Sequence, residues 1–142
     1  MRPEACRALE GCERILHAGD IGDETVLAEL SRLAPITAVV GNNDHGPWTR
    51  SLPTTVQVRV GLLTILMTHI RASLAIDPET AGASVVVYGH SHRPESVRQG
   101  RVLFFNPGSA GPRRFKLPVT VGRLHVRGRR VEGEIVPLRM GG

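Results

Sequence analysis

Four apolar runs in this chain end in the same way, and that repetition constrains the fold more than any other feature. Each run is closed by a tight turn and a polar residue able to bind metal. The four ends are Leu16…Gly19-Asp20, Val40-Gly41-Asn42, Met67-Thr68-His69 and Tyr88-Gly89-His90. In open α/β sheets, ligands bind outside the carboxyl ends of the strands. Asp, Asn and two His converging there would form an oxygen and nitrogen site for a borderline divalent cation such as Mn²⁺, Zn²⁺, Fe²⁺ or Co²⁺. The glycines let the backbone turn sharply enough for the ligands to face one point. His92, two residues after His90, shares a face with it if the segment is extended, and adds a fifth candidate.

The rest of the pattern predicts an α/β first half and a β-rich second half. Pro3 suits a first helical position and Gly11 a helix stop. Cys12–Leu16 reads as a short strand. Asp23 is placed to cap a helix running to about Leu33, with Val26, Leu27, Leu30 and Leu33 on one face. The β-branched run Ile36–Val40 reads as a buried strand. From Thr55, Val56, Val58 and Val60 alternate with Gln57 and Arg59, the period of a half-buried strand. A more apolar strand over Leu62–Met67 follows, then a short helical stretch in one or two pieces, with Asp77-Pro78-Glu79 as a fresh cap. Ser84–Tyr88 is another buried strand. Two hairpins close the chain, one turning at Gln99-Gly100 and one around Gly128.

Length and composition set the limits. At 142 residues the chain has room for one domain, expected over 1–142. No apolar run approaches the roughly 20 residues of a membrane helix. The start, Met1-Arg2-Pro3-Glu4, lacks the apolar stretch of a secretory signal, so the expected compartment is the cytoplasm with no membrane partner. Cys6 and Cys12 have neither redox nor zinc spacing and read as reduced structural thiols. The net charge is +5, but residues 1–44 hold eight acids and four bases, and residues 45–142 five acids and fourteen bases. Arg supplies seventeen of the eighteen bases, and Arg suits bidentate phosphate contact. Aromatic residues make up only 4%, which argues against a nucleic-acid stacking platform.

Taken together, His17-Ala18-Gly19-Asp20, Gly41-Asn42-Asn43-Asp44, Thr68-His69, Gly89-His90-Ser91-His92 and Asn106-Pro107-Gly108-Ser109 resemble, in order and spacing, the calcineurin-like metallophosphoesterases, closest to their small bacterial and archaeal phosphodiesterase branch. The resemblance implies an α/β (α+β) fold: two packed mixed β-sheets flanked by helices, a four-layer αββα sandwich. It implies two metals at the strand ends, manganese the leading candidate among Mn, Zn, Fe, Ni, Co and Mg. Asp20 matches the carboxylate bridging both metals. Asn42, His69 and His90 match the other ligands of one metal, and His92 a ligand of the second. The implied reaction is phosphodiester hydrolysis by metal-activated hydroxide, with Asp20 and Asn42 at the reacting centre and a small phosphodiester or nucleotide-like substrate.

Further roles are carried over with their alternatives. Many relatives place a proton-donating His where this chain has Asn43, whose amide cannot serve as an acid and is left to contact substrate. His45 is either a substitute donor or a solvent-facing loop residue. Asp44 either orients a ligand or stabilises its turn. Ser109 belongs to the loop beside the site, and Arg113 or Arg114 could reach a substrate phosphate.

The resemblance also implies a first strand ending in Asp-x-His, which supplies two ligands of the other metal, and this sequence contains no such segment. One site would then be intact, and the second left with Asp20 and His92. Four or five absent Val/Ile-type side chains, at roughly 1.5–3 kcal/mol each, would total about 6–15 kcal/mol of lost burial. The expectation is therefore an upstream start or repair by homo-oligomerisation, with impaired activity in this form. The alternative is a non-catalytic scaffold that binds proteins through the same fold, as a subunit of a membrane-trafficking coat in this family does.

Overall fold

A computed structural model describes residues 3–110 and 119–138. Helix α1 (Pro3–Leu9) begins on a proline and is followed by Gly11 at φ 81°. Strand β1 (Ile15–His17) leads to helix α2 (Glu24–Ser31), whose cap is Asp23: its carboxylate accepts the Thr25 N–H at 3.0 Å. β2 (Ile36–Ala38) runs parallel to β1. A 3₁₀ turn (Pro47–Ser51) precedes the antiparallel pair β3 (Thr55–Val60) and β4 (Leu63–Thr68). β5 (Val85–Val87), β6 (Glu95–Gln99) and β7 (Val102–Asn106) complete a sheet ordered β3-β4-β5-β7-β6, in which β4, β5 and β7 are parallel. β8 (Thr120–Arg127) and β9 (Arg130–Pro137) form a hairpin.

The alternation of side chains along these strands builds two cores. One face of the five-stranded sheet, with Val58, Ile65, Met67, Val85, Val87 and Phe105, packs against β1, β2 and the β8–β9 hairpin. Its other face, with Leu66, Val86, Tyr88 and Val102, is covered by the segment carrying Leu74 and Ala81. The outer face of β1–β2 packs on the helices through Ile15, Leu30 and Ala34. Gly122 and Gly133 have no side chain where the Phe105 ring presses on the hairpin; a Cβ at Gly133 would stand 2.7 Å from that ring. This is the expected α/β arrangement of packed sheets. α-Helices flank one side, and a 3₁₀ turn (Arg71–Ser73) occupies the other among the described residues.

Several strands are shorter than their apolar runs. The Ser84–Tyr88 run becomes β5 over three residues, yet the Ser84 N–H still donates to Thr64 and the Tyr88 N–H to Phe105. The Ile36–Val40 run becomes β2, and Val39 is wholly buried beyond its end. The Cys12–Leu16 run is displaced to Ile15–His17 because Glu13 and Arg14 face solvent. The opposing wall of the sandwich is divided in two: among the described residues β1 pairs only with β2, and β8 only with β9. Between them lie two neighbouring cavities of about 750 and 480 Å³, both bordered by Leu16 and by β8.

Candidate functional site

The strands β1, β2, β4 and β5 deliver their carboxyl ends to one place. His69, which directly follows β4, is buried and holds its ring in a fixed sense. Its Nδ1 lies 2.7 Å from the Ala18 carbonyl oxygen, an acceptor only, so Nδ1 carries the proton. The Nε2 is on the open side of the ring. It faces the Asn42 Oδ1 at 2.8 Å and the Asp20 Oδ2 at 3.3 Å. The His90 Nδ1 approaches the same Asn42 oxygen at 3.2 Å, and the His69 and His90 rings meet edge-to-face with centroids 5.3 Å apart.

That donor set fits a divalent cation. Donors at right angles around a cation with bonds of about 2.1 Å stand about 3 Å apart, which is the spacing of these atoms. Two nitrogens and two oxygens suit borderline metals. The cluster depends on the amide of Asn42: among the described residues, no three His, Cys, Asp or Glu side chains form a metal-binding group on their own.

Neighbouring residues hold the cluster in place. The Asn43 backbone N–H and side-chain amide donate to the Asp20 carboxylate at 2.9 and 3.2 Å. Burial pushes the Asp20 carboxyl up, but the Asn43 N–H, the His69 ring, the Asn43 amide and His92 outweigh it and hold Asp20 below the ordinary aspartate value. Asp44 is buried and accepts from the Gly22 N–H at 2.9 Å and the Gly41 N–H at 2.8 Å, tying the loop after β1 to the loop after β2. Close approach demands glycine at two positions. A Cβ on Gly19 would stand 2.7 Å from the His69 ring nitrogen, and one on Gly41 would collide with the Asp20 backbone. Asp20, His90 and His92 are the non-glycine residues with positive φ among those described, at 54°, 71° and 62°. Such backbone persists only where its surroundings impose it, and it clusters at functional sites.

The structure brings Asp20, Asn42, His69 and His90 together, with Asn43 and Asp44 beside them. His92 lines the 750 Å³ cavity with His69, His90, Asn43 and Ser109. Ser109 takes part in a backbone bridge to Val119. His45 is exposed and stands outside that lining. Arg113 and Arg114 lie outside the described residues. Sequence reasoning missed three supports. The Ala18 carbonyl fixes the His69 tautomer, a backbone role that no side-chain pattern reveals. Asn106, fully buried, donates from Nδ2 to the Gly89 carbonyl and to Ser91 Oγ, both at 3.2 Å, and so braces the His90 turn; its place in the Asn106–Ser109 motif was the available signal. His17 faces the cavity and receives the Gly19 N–H on Nδ1 at 3.2 Å. Burial pushes the His17 imidazole down against the pull of Asp44 and Asp20, so it stays neutral near neutral pH.

The sequence profile of the calcineurin-like phosphoesterase superfamily domain matches residues 1–129. The chain belongs to this family. As a calcineurin-like phosphoesterase, it is 34% identical over 141 residues to a protein of Methanothermobacter thermautotrophicus named "Probable metallophosphoesterase", covering 94% of this chain and 81% of that one. Two solved structures show the fold. Vacuolar protein sorting 29 from Cryptosporidium parvum superposes with a TM-score of 0.77 at 17% identity, covering 99% of this chain and 90% of that one. An archaeal phosphodiesterase gives 0.73 at 24% identity, covering 94% and 92%. No helix among the described residues is long and apolar enough to cross a membrane.

Proposed function

We propose that this calcineurin-like phosphoesterase hydrolyses small phosphodiesters, nucleotide-like compounds among them, with a divalent cation held by Asp20, Asn42, His69 and His90. One observation carries the reading: Asn42 Oδ1 lies 2.8 Å from His69 Nε2 and 3.2 Å from His90 Nδ1, with Asp20 Oδ2 3.3 Å from the same His69 nitrogen, a donor set that fits a cation. When bound, the cation supplies Lewis acidity at a phosphoryl oxygen and lowers the pKa of water. The chain's own residues do the rest. Asp20 stays anionic because Asn43 donates to both carboxylate oxygens. Ala18 keeps the proton on the far side of the His69 ring. The 750 Å³ cavity beside His90 and His92 is large enough to receive a small ester. Water adds at phosphorus and the ester oxygen departs as the alcohol. Manganese is the first cation to try.

The test is metal analysis of the purified protein with Mn²⁺-stimulated hydrolysis of an aryl phosphodiester, an aryl phosphomonoester run in parallel. The reading expects bound metal and preference for the diester. A metal-free protein inert toward both esters at saturating Mn²⁺ overturns it and favours the scaffold alternative.

A further inference from the structure

On the face of the five-stranded sheet away from the hairpin, one arginine touches three segments at once. Arg71 lies two residues after His69, in the 3₁₀ turn that follows β4. Its guanidinium carbon stands 3.8 Å from the Phe104 ring centroid and 5.6 Å from that of Tyr88. Nη2 donates to Gln99 Oε1 at 3.2 Å, and Nη1 lies 3.8 Å from Glu95 Oε1. The planar head thus stacks on β7, bonds to β6 and covers Tyr88, which leads into the His90 turn. A lysine has neither the plane nor the fork to do this.

We propose that Arg71 is a positioning residue for the metal ligands His69 and His90, clamping from behind the two loops that carry them. This rests on the metal reading above. The His90 turn needs such support, because His90 and His92 both sit in left-handed backbone. Asn106 braces that turn at Gly89 and Ser91, and the Gly89 N–H donates to the His69 carbonyl at 2.9 Å. These bonds fix the backbone between the two loops. The Arg71 clamp fixes the side that they do not reach, because Tyr88 directly precedes Gly89 and its ring is held under the guanidinium. Arg71 is partly exposed, and its guanidinium makes polar contacts to Glu95 and Gln99 of β6. Supports outside the ligand sphere contribute roughly 10–100-fold to metal affinity.

The experiment is titration of the metal-stripped full chain with Co²⁺, reading both affinity and the visible d–d band, which reports coordination geometry. Arg71→Met keeps the length of the side chain without the charge or the fork. It should bind Co²⁺ about tenfold more weakly, at the low end of the range for outer supports, with a shifted band. Arg71→Lys should restore the charge and only part of the affinity. Phe104→Leu, approached from the opposite partner, should shift the band in the same direction, and the double variant should add little to either. Unchanged affinity and band in Arg71→Met, or fully additive effects in the double variant, overturn the clamp. So does a lower melting temperature with both readouts unchanged. His69→Ala separates the two failures. Loss of Co²⁺ there with no change in Arg71→Met sinks the clamp alone, whereas tight binding in His69→Ala sinks the metal site and the clamp with it.

Discussion

The two sides of the site are built to different standards. On the side of Asn42, His69 and His90, the residues around the cluster are braced by several contacts: Ala18 holds His69, Asn43 holds Asp20, Asp44 joins two loops, and Asn106 ties down the His90 turn. His92 lines a cavity of about 750 Å³ whose walls include β1, which among the described residues pairs only with β2, and the start of β8. The same strand ends feed both. The difference teaches that preorganisation comes from the outer hydrogen bonds, which place donor atoms about 3 Å apart before any cation arrives.

Substitutions should break this asymmetry in a graded order. His69→Ala removes the one ligand whose tautomer is fixed, and should weaken Mn²⁺ binding and diester hydrolysis by at least about a hundredfold, read by calorimetry and initial rates. Equal binding in that variant would contradict the braced side as the metal site. Asp44→Ala leaves the Gly22 and Gly41 N–H groups without their acceptor. Gly41 is buried and Gly22 exposed, so the loss should be about 1–3 kcal/mol in urea unfolding, the cost of the one buried donor stranded, with weaker metal binding alongside. An unchanged midpoint would show that Asp44 only decorates its turn. His92→Ala should change affinity for the first cation by less than about threefold, because His92 is not one of the four side chains of the cluster. A drop as large as that of His69→Ala would merge the two sides into one. His45→Ala should be the mildest. The residue is exposed and off the cavity lining, so diester turnover should stay within about twofold of the parent chain, as for surface changes remote from a site.

Much of this was legible in the sequence, for a physical reason. Strand termini carrying Gly-Asp, Gly-Asn, Thr-His and Gly-His marked the four polar side chains that the fold brings to one place. Turn glycines and metal-binding side chains are local signals. Gly19 and Gly41 illustrate this, since a Cβ at either would strike a neighbouring ligand. The long-range bonds were not legible. The Ala18 carbonyl acts through its backbone, and Asn106 reaches Gly89 from 17 residues away. Arg71 meets Phe104 and Gln99 only once β6 and β7 are paired. Strand lengths were overestimated because apolar runs such as Ser84–Tyr88 stay extended past the last ladder pair.

The central claim is that four side chains on one braced side make one cation site. The most direct measurement is calorimetric titration of Mn²⁺ into the metal-stripped protein and into its Asn42→Ala variant, because Asn42 is the donor both histidines approach. The account predicts one tight site per chain in the parent and its loss in the variant. Equal binding by the two proteins, or no binding by the parent, would contradict it.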